Sequence, residues 1–281
     1  MTDNWDSYLC EVDGKPASIL VDLGAVALAP VQRFPYLAYV TITLRDPDEN
    51  GFPRREEYEV LSVLEDALET ALTVSGAAMH IGRCITGGRY ELVFYTVGAE
   101  DWNSRVSALM QSFSPYEWNA EAQYEPGWDT YLGFLFPGVH DLLNIQNRRL
   151  CRRLQDEGDD LSRTRLISHW LNFLDSESGK DFCLAAQSLG FLVEASEADN
   201  GLRGIASAAR SGDHTVHLGE GLRVAHASVG RPGAESPPFQ VRLSRIDAPE
   251  DMDEISFMLL ELAEEFGGAY QGWSCPMDEE E

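Results

Sequence analysis

The sequence is short of the features that announce a chemistry. It contains no Gly-x-Ser-x-Gly nucleophile turn, no phosphate-binding glycine loop and no dinucleotide fingerprint, so the motif-bearing hydrolase, nucleotide-binding and dehydrogenase classes find no support. Its five cysteines, Cys10, Cys84, Cys151, Cys183 and Cys275, are scattered, odd in number and include no Cys-x-x-Cys pair. That argues against a disulfide framework and for a reducing compartment. No apolar run approaches the ~20 residues of a membrane helix. Residues 1–7 lack the basic start and apolar stretch of a secretory leader, and a cytoplasmic location is the expectation. Positive charge is scarce as well: 21 Lys and Arg face 47 Asp and Glu, for a formal net charge of −26. Such a polyanion repels nucleic-acid phosphates and anionic lipid and attracts basic partners.

The acidity is spread over the whole chain. Residues 1–136 hold 21 acidic against 8 basic residues and residues 137–281 hold 26 against 13, so no single acidic tail accounts for it. A length of 281 residues suits two domains of ordinary size, and a hydrophobic content of 44% suffices for packed interiors.

In the first half, Trp5–Glu11 and Ala17–Leu23 read as strands joined by the hairpin signal Asp13-Gly14-Lys15-Pro16. Tyr36–Leu44 is a strand, and Glu56–Thr73 a helix with Leu61, Leu64, Leu68 and Leu72 on its inner face. Ala77–Ile85 and Arg89–Val97 form a hairpin about Gly87-Gly88, Ala99–Phe113 a helix, and Tyr116–Ala122 and Thr130–Phe136 two further strands. The second half opens with a helix from Val139. Leu143, Leu150 and Leu154 stack on one face of it, and it stops at Gly158 before the acidic turn Asp159-Asp160. Strand Thr164–Phe173, helix Ser176–Leu189, strands Phe191–Ala195 and Phe239–Ile246, helix Pro249–Phe266 and strand Ala269–Cys275 follow. A long insertion, Ser196–Pro238, parts the middle two strands and reads as extended hairpins or a mobile loop. The order strand, helix, strand, strand, helix, strand occurs in both halves. It predicts an α+β protein of two tandem ferredoxin-like (βαββαβ) sandwiches with antiparallel sheets, residues 1–136 and 137–281.

The second half resembles the family named regulator of ribonuclease E activity B. The resemblance rests on an ordered set of residues: Leu154-Gln155-Asp156-Glu157-Gly158-Asp159-Asp160-Leu161, then Ile167-Ser168-His169-Trp170-Leu171, then Ala185-Ala186-Gln187-Ser188-Leu189-Gly190-Phe191-Leu192-Val193, and finally Leu259 to Trp273. The family ends in a leucine- and alanine-rich helix before a Tyr-Asp-Gly-Trp strand; here Gln271 stands in place of the aspartate, and the Ser196–Pro238 insertion is longer than the family's connection. The first half resembles a bacterial family of unknown function, domain of unknown function 695. It does so through Trp5, the Asp13-Gly14-Lys15-Pro16 turn before Ile19-Leu20-Val21-Asp22, and Gly82-Arg83 before Gly88-Arg89-Tyr90-Glu91 and Phe94-Tyr95.

The resemblance implies a non-enzymatic regulator that binds the arginine-rich scaffold region of ribonuclease E and alters RNA decay. An acidic surface meets arginine through charge-assisted, often bidentate pairs that weaken with salt. An immunity-type antidote to a basic nuclease toxin would be served equally by the charge. A small-molecule or metal-dependent enzyme using His169 or the His214, His217 and His226 group is the alternative from another class. Those three histidines read as ordinary exposed residues, and no cofactor, metal, catalytic residue, direct nucleic-acid contact or membrane contact is assigned. The RNA-binding motif of ferredoxin-like sheets is not matched by Arg89–Tyr95.

The candidate partner-binding residues are Asp159 and Asp160 of the acidic turn, His169, Tyr270 and Trp273. Each also has a structural reading. Asp156, Asp159 and Asp160 suit a capped helix end, and His169 suits a hydrogen-bonded strand position. Tyr270 and Trp273 are either aromatic anchors for a partner or packing for the helix that ends at Phe266, and a regular strand cannot turn Tyr270, Gly272 and Trp273 to one side.

Overall fold

Two left-handed residues, Asp13 (φ 52°) and Gly14 (φ 71°), reverse the chain between β1 (Trp5–Val12) and β2 (Lys15–Asp22). This backbone suits a two-residue hairpin turn, and Asp-Gly is a sequence that tolerates it. The computed structural model describes residues 2, 4–113, 115–196 and 239–277, with the backbone alone for 194–196. It divides into two compact units, Met1–Asp141 and Leu142–Glu281. Both are mixed α+β with antiparallel sheets.

In the first unit β3 (Tyr36–Thr43), α1 (Arg55–Thr73), β4 (Ala78–Thr86), β5 (Arg89–Thr96), α2 (Trp102–Met110) and β6 (Trp118–Tyr124) follow the hairpin. The sheet runs β1-β2-β4-β5-β3-β6, with every neighbouring pair antiparallel. Leu61, Leu64, Leu68 and Leu72 recur at the spacing of one helical face and are fully buried, with Trp102, Val106 and Met110 of α2 beside them. They cover Ala38, Val40 and Ile42 of β3 and Tyr90, Leu92 and Phe94 of β5. One charged pair enters this layer. Arg83 Nη1 donates to Glu65 Oε2 at 2.6 Å, and the Tyr90 hydroxyl donates to the same oxygen.

The expected strand Thr130–Phe136 is instead a single turn of π-helix, Tyr131–Leu135, closed by Phe136 N–H donating to the Tyr131 carbonyl at 2.8 Å. Trp128, Tyr131 and Leu135 are the buried residues, three and four apart, so the apolar pattern has a helical period and not the alternation of a strand. This turn covers the sheet face away from the helices. Trp128 stacks on Tyr95 at 4.0 Å, Tyr131 donates to the Asp22 carbonyl at 2.7 Å and Tyr8 to that of Leu135 at 3.0 Å.

The second unit comprises α3 (Val139–Asp156, whose first residues precede the dividing point), β7 (Arg165–Phe173), α4 (Ser176–Ser188), β8 (Leu192–Ser196), β9 (Phe239–Asp247), α5 (Met252–Glu265) and β10 (Gly268–Ser274). Its antiparallel sheet runs β10-β7-β9-β8. At the end of α3 Gly158 adopts φ 92°. Asp159 N–H then bonds the Leu154 carbonyl at 2.9 Å and Gly158 N–H that of Gln155 at 3.0 Å, the pair of bonds that satisfies the last carbonyls of a helix. Asp175 begins α4 by accepting from the N–H groups of Glu177 and Ser178. Leu171 and Phe173 of β7, Val241 and Leu243 of β9, Phe182 of α4 and Leu259 of α5 are among the buried side chains. Of the insertion expected at Ser196–Pro238, Ser196 ends β8, and residues 197–238, His214, His217 and His226 among them, lie outside the described residues.

Candidate partner-binding surface

β10 meets β7 with a register shift. Tyr270 pairs with Leu171, Gly272 with Trp170 and Trp273 with His169, so Gln271 is an extra residue with no partner of its own. In a regular strand, residues 270 and 273 would face opposite ways. The bulge removes that conflict, because Leu171 and His169 lie two apart on one face and their partners share it. Tyr270 and Trp273 are both buried, which fits the packing reading of these two aromatics.

Each finds a polar partner inside. The Tyr270 hydroxyl lies 2.8 Å from His169 Nδ1. Trp273 Nε1 donates to Asn147 Oδ1 at 2.9 Å, and Asn147 Nδ2 donates to Asp253 Oδ1 and Ser256 Oγ, each at 2.8 Å. Asn147 thus joins α3, α5 and β10. The sequence reading missed it, although a polar residue four after Leu143 and three before Leu150 on an apolar face is a visible anomaly.

His169 is wholly enclosed, with the Phe191 ring edge-on at 5.7 Å. Burial, and secondarily the Arg245 charge, pushes it down to about 3; it is therefore neutral at physiological pH and presents no charge to a partner. Its Nε2 has no hydrogen-bond partner among the described residues.

The acidic turn is split by the fold. Asp159 is buried and accepts from Arg165 Nη2 at 2.5 Å. Asp160 is exposed, and the Ser162 hydroxyl, 2.7 Å away, and backbone N–H hold its carboxyl below the usual range. Of the five candidates, His169, Tyr270 and Trp273 come together in the core, Asp159 braces the entry to β7, and Asp160 alone offers its side chain to solvent.

A larger exposed acidic surface lies on α5. This helix contains no Lys or Arg, and Glu254, Glu261 and Glu265 are exposed at separations of seven and four, on one stripe. Glu250 continues it by four residues toward the N-terminus. Glu261, Glu264 and Glu265 crowd the final turn, where the helix dipole is already negative, at an unfavourable ~0.3–1 kcal/mol each. The sequence reading saw only the buried side of this helix.

Among the described residues no group of three His, Cys, Asp or Glu is arranged to hold a metal ion, and no helix is long and apolar enough to cross a membrane. No curated protein matches the chain. A solved structure described as an unknown protein from Galdieria sulphuraria is 13% identical, with 86% of this chain and 98% of that one covered and a TM-score of 0.20. In their sequence families, the two halves resemble, respectively, the family of unknown function DUF695, whose family model matches residues 3–136, and the family described as Regulator of ribonuclease activity B, whose family model matches residues 144–275.

Proposed function

We propose that the chain is a non-enzymatic cytoplasmic regulator that binds a basic segment of a ribonuclease, the arginine-rich scaffold region of ribonuclease E, and slows RNA decay. The observation that carries the reading is the acidic stripe of α5, within the residues that match the regulator family. Glutamates gathered at a negative helix end repel one another, and guanidinium groups relieve that repulsion through charge-assisted hydrogen bonds. The contacts speed encounter and select a basic partner more than they add raw affinity. Asp160 extends the acidic surface in this proposal, while Asp159, His169, Tyr270 and Trp273 position the elements beneath it. The element order and the sheet order of each unit support a ferredoxin-like reading for both, with the first unit extended by the β1–β2 hairpin; the first unit spans residues 1–136 in this proposal and the second residues 137–281.

The test is a titration of the intact chain with an arginine-rich scaffold fragment at two salt concentrations. Binding that weakens steeply with salt, and that weakens in the Glu254→Gln, Glu261→Gln, Glu265→Gln variant, is the expected result. No binding at low salt by folded protein overturns the proposal.

A further inference from the structure

α1 of the first unit has two apolar stripes, and its own fold uses one of them. Leu61, Leu64, Leu68 and Leu72 are fully buried against the sheet. On the outer side lie Val60 and Val63, 46% and 62% exposed, and at the helix C-cap Val74, 80% exposed. Ala67, half-buried, falls between them. The successive separations along Val60, Val63, Ala67 and Val74 are three, four and seven, the spacing of a coiled-coil seam. Exposed valine is a poor choice for helix stability, since Ala, Glu or Lys would each favour the helix more. Glu59 and Asp66, seven apart, are exposed along one rim of the seam, and exposed Glu56 stands at its head, four residues before Val60. The cations near its start are already engaged, Arg54 with Asp46 at 2.9 Å and Arg55 with Glu59 at 3.6 Å.

We infer that this outer face of α1 docks a basic amphipathic helix of a partner protein. The partner's apolar side lies on Val60, Val63, Ala67 and Val74, and its Lys and Arg residues reach Glu59 and Asp66 along the rim and Glu56 at the head of the seam. Charge decides the occupant. A second copy of this chain would bring the same acidic rim and another −26 charges to the seam, whereas a helix with basic flanks satisfies both the apolar line and its rim. The inference concerns the first unit and does not depend on the ribonuclease reading of the second.

The experiment uses the intact protein and two synthetic helical peptides of about three heptads with leucine seams, one flanked by lysine and the other by glutamate. Fluorescence anisotropy is expected to show the lysine-flanked peptide binding at least about tenfold more tightly than its counterpart. The Val60→Ser, Val63→Ser variant keeps every charge and is expected to weaken that binding about tenfold or more. If this variant fails to fold, Val74→Ser, at the end of the helix, is expected to weaken binding severalfold. Binding unchanged by either variant would mean charge attraction alone and overturns the inference, as does an absence of binding at low salt. A dimeric intact chain that the double variant converts to monomer also overturns it, by showing that a second copy covers the seam.

Discussion

Trp273 donates its indole N–H to the side-chain oxygen of Asn147 at 2.9 Å, across 126 positions of sequence. The bond is enclosed on all sides, and Asn147 continues it to Asp253 and Ser256. One amide therefore connects α3, α5 and β10. In Asn147→Leu the indole N–H and the Ser256 hydroxyl each lose a buried partner, whereas the exposed Asp253 carboxylate turns to water. Removing one side of a buried polar arrangement costs about 1–3 kcal/mol per orphaned group, and a loss of about 2–4 kcal/mol is expected. Urea unfolding of the intact chain, followed by tryptophan fluorescence, measures it.

The bulge at Gln271 makes a second prediction. Deleting this residue restores a regular strand and turns Trp273 out of the core, because a shift by one residue exchanges the faces of a strand. Losing a buried tryptophan costs about 3–5 kcal/mol. Among the described residues the side chain itself reaches only the nearby Ala269 carbonyl, at 3.3 Å. Gln271→Asp is accordingly expected to leave stability within about 0.5 kcal/mol of the parent. Thermal melts of the two variants should differ widely.

His169 ties stability to pH. Burial holds the folded imidazole near 3, while an unfolded histidine titrates near ~6.5. Between these values the unfolded chain binds the extra proton. The contribution of His169 is therefore fully present above about pH 6.5 and is lost as pH falls toward the folded value. The slope reaches about 1.4 kcal/mol per pH unit below the unfolded value. From pH 6.5 to 5 the parent protein should lose stability faster than His169→Gln, whose side chain does not titrate. Equal slopes in denaturant titrations across this window would contradict the assignment.

In the first unit the prediction concerns Arg83 and Glu65, a pair 2.6 Å apart with both side chains shielded. Glu65→Ala leaves a buried guanidinium without its counter-ion and should cost about 3–5 kcal/mol. Replacing both residues with apolar ones of similar volume, Glu65→Leu with Arg83→Met, should cost far less, because neither charge is then left alone. The Tyr90 hydroxyl, which also bonds Glu65, keeps that double variant from being fully neutral. A double-mutant cycle by chemical denaturation separates these outcomes.

Much of the fold was legible because its helices repeat leucines at one-face spacing and its hairpins turn on Asp13-Gly14 and Gly87-Gly88. The turn at Tyr131–Leu135 was misread, since a short run of aromatics carries the propensity of a strand whatever its period. The Gln271 bulge was invisible because no glycine or proline stands at the extra residue itself; the left-handed position follows at Gly272, with φ 133°. Burial of Asp159, His169, Tyr270 and Trp273 could not be read locally either. It arises from the pairing of β7 with β10 and from the return of the chain after α3. The acidic stripe of α5 is legible in the sequence, since Glu254, Glu261 and Glu265 recur at one-face spacing opposite the apolar residues.

The most direct test of the central claim is the rate of RNA cleavage by ribonuclease E, with and without the intact chain, using enzyme that retains its arginine-rich scaffold region and enzyme that lacks it. Slower cleavage by the complete enzyme is expected, an effect that fades as salt rises, with no change for the truncated one. Undiminished cleavage by the complete enzyme at low salt, or equal inhibition of both forms, would contradict it.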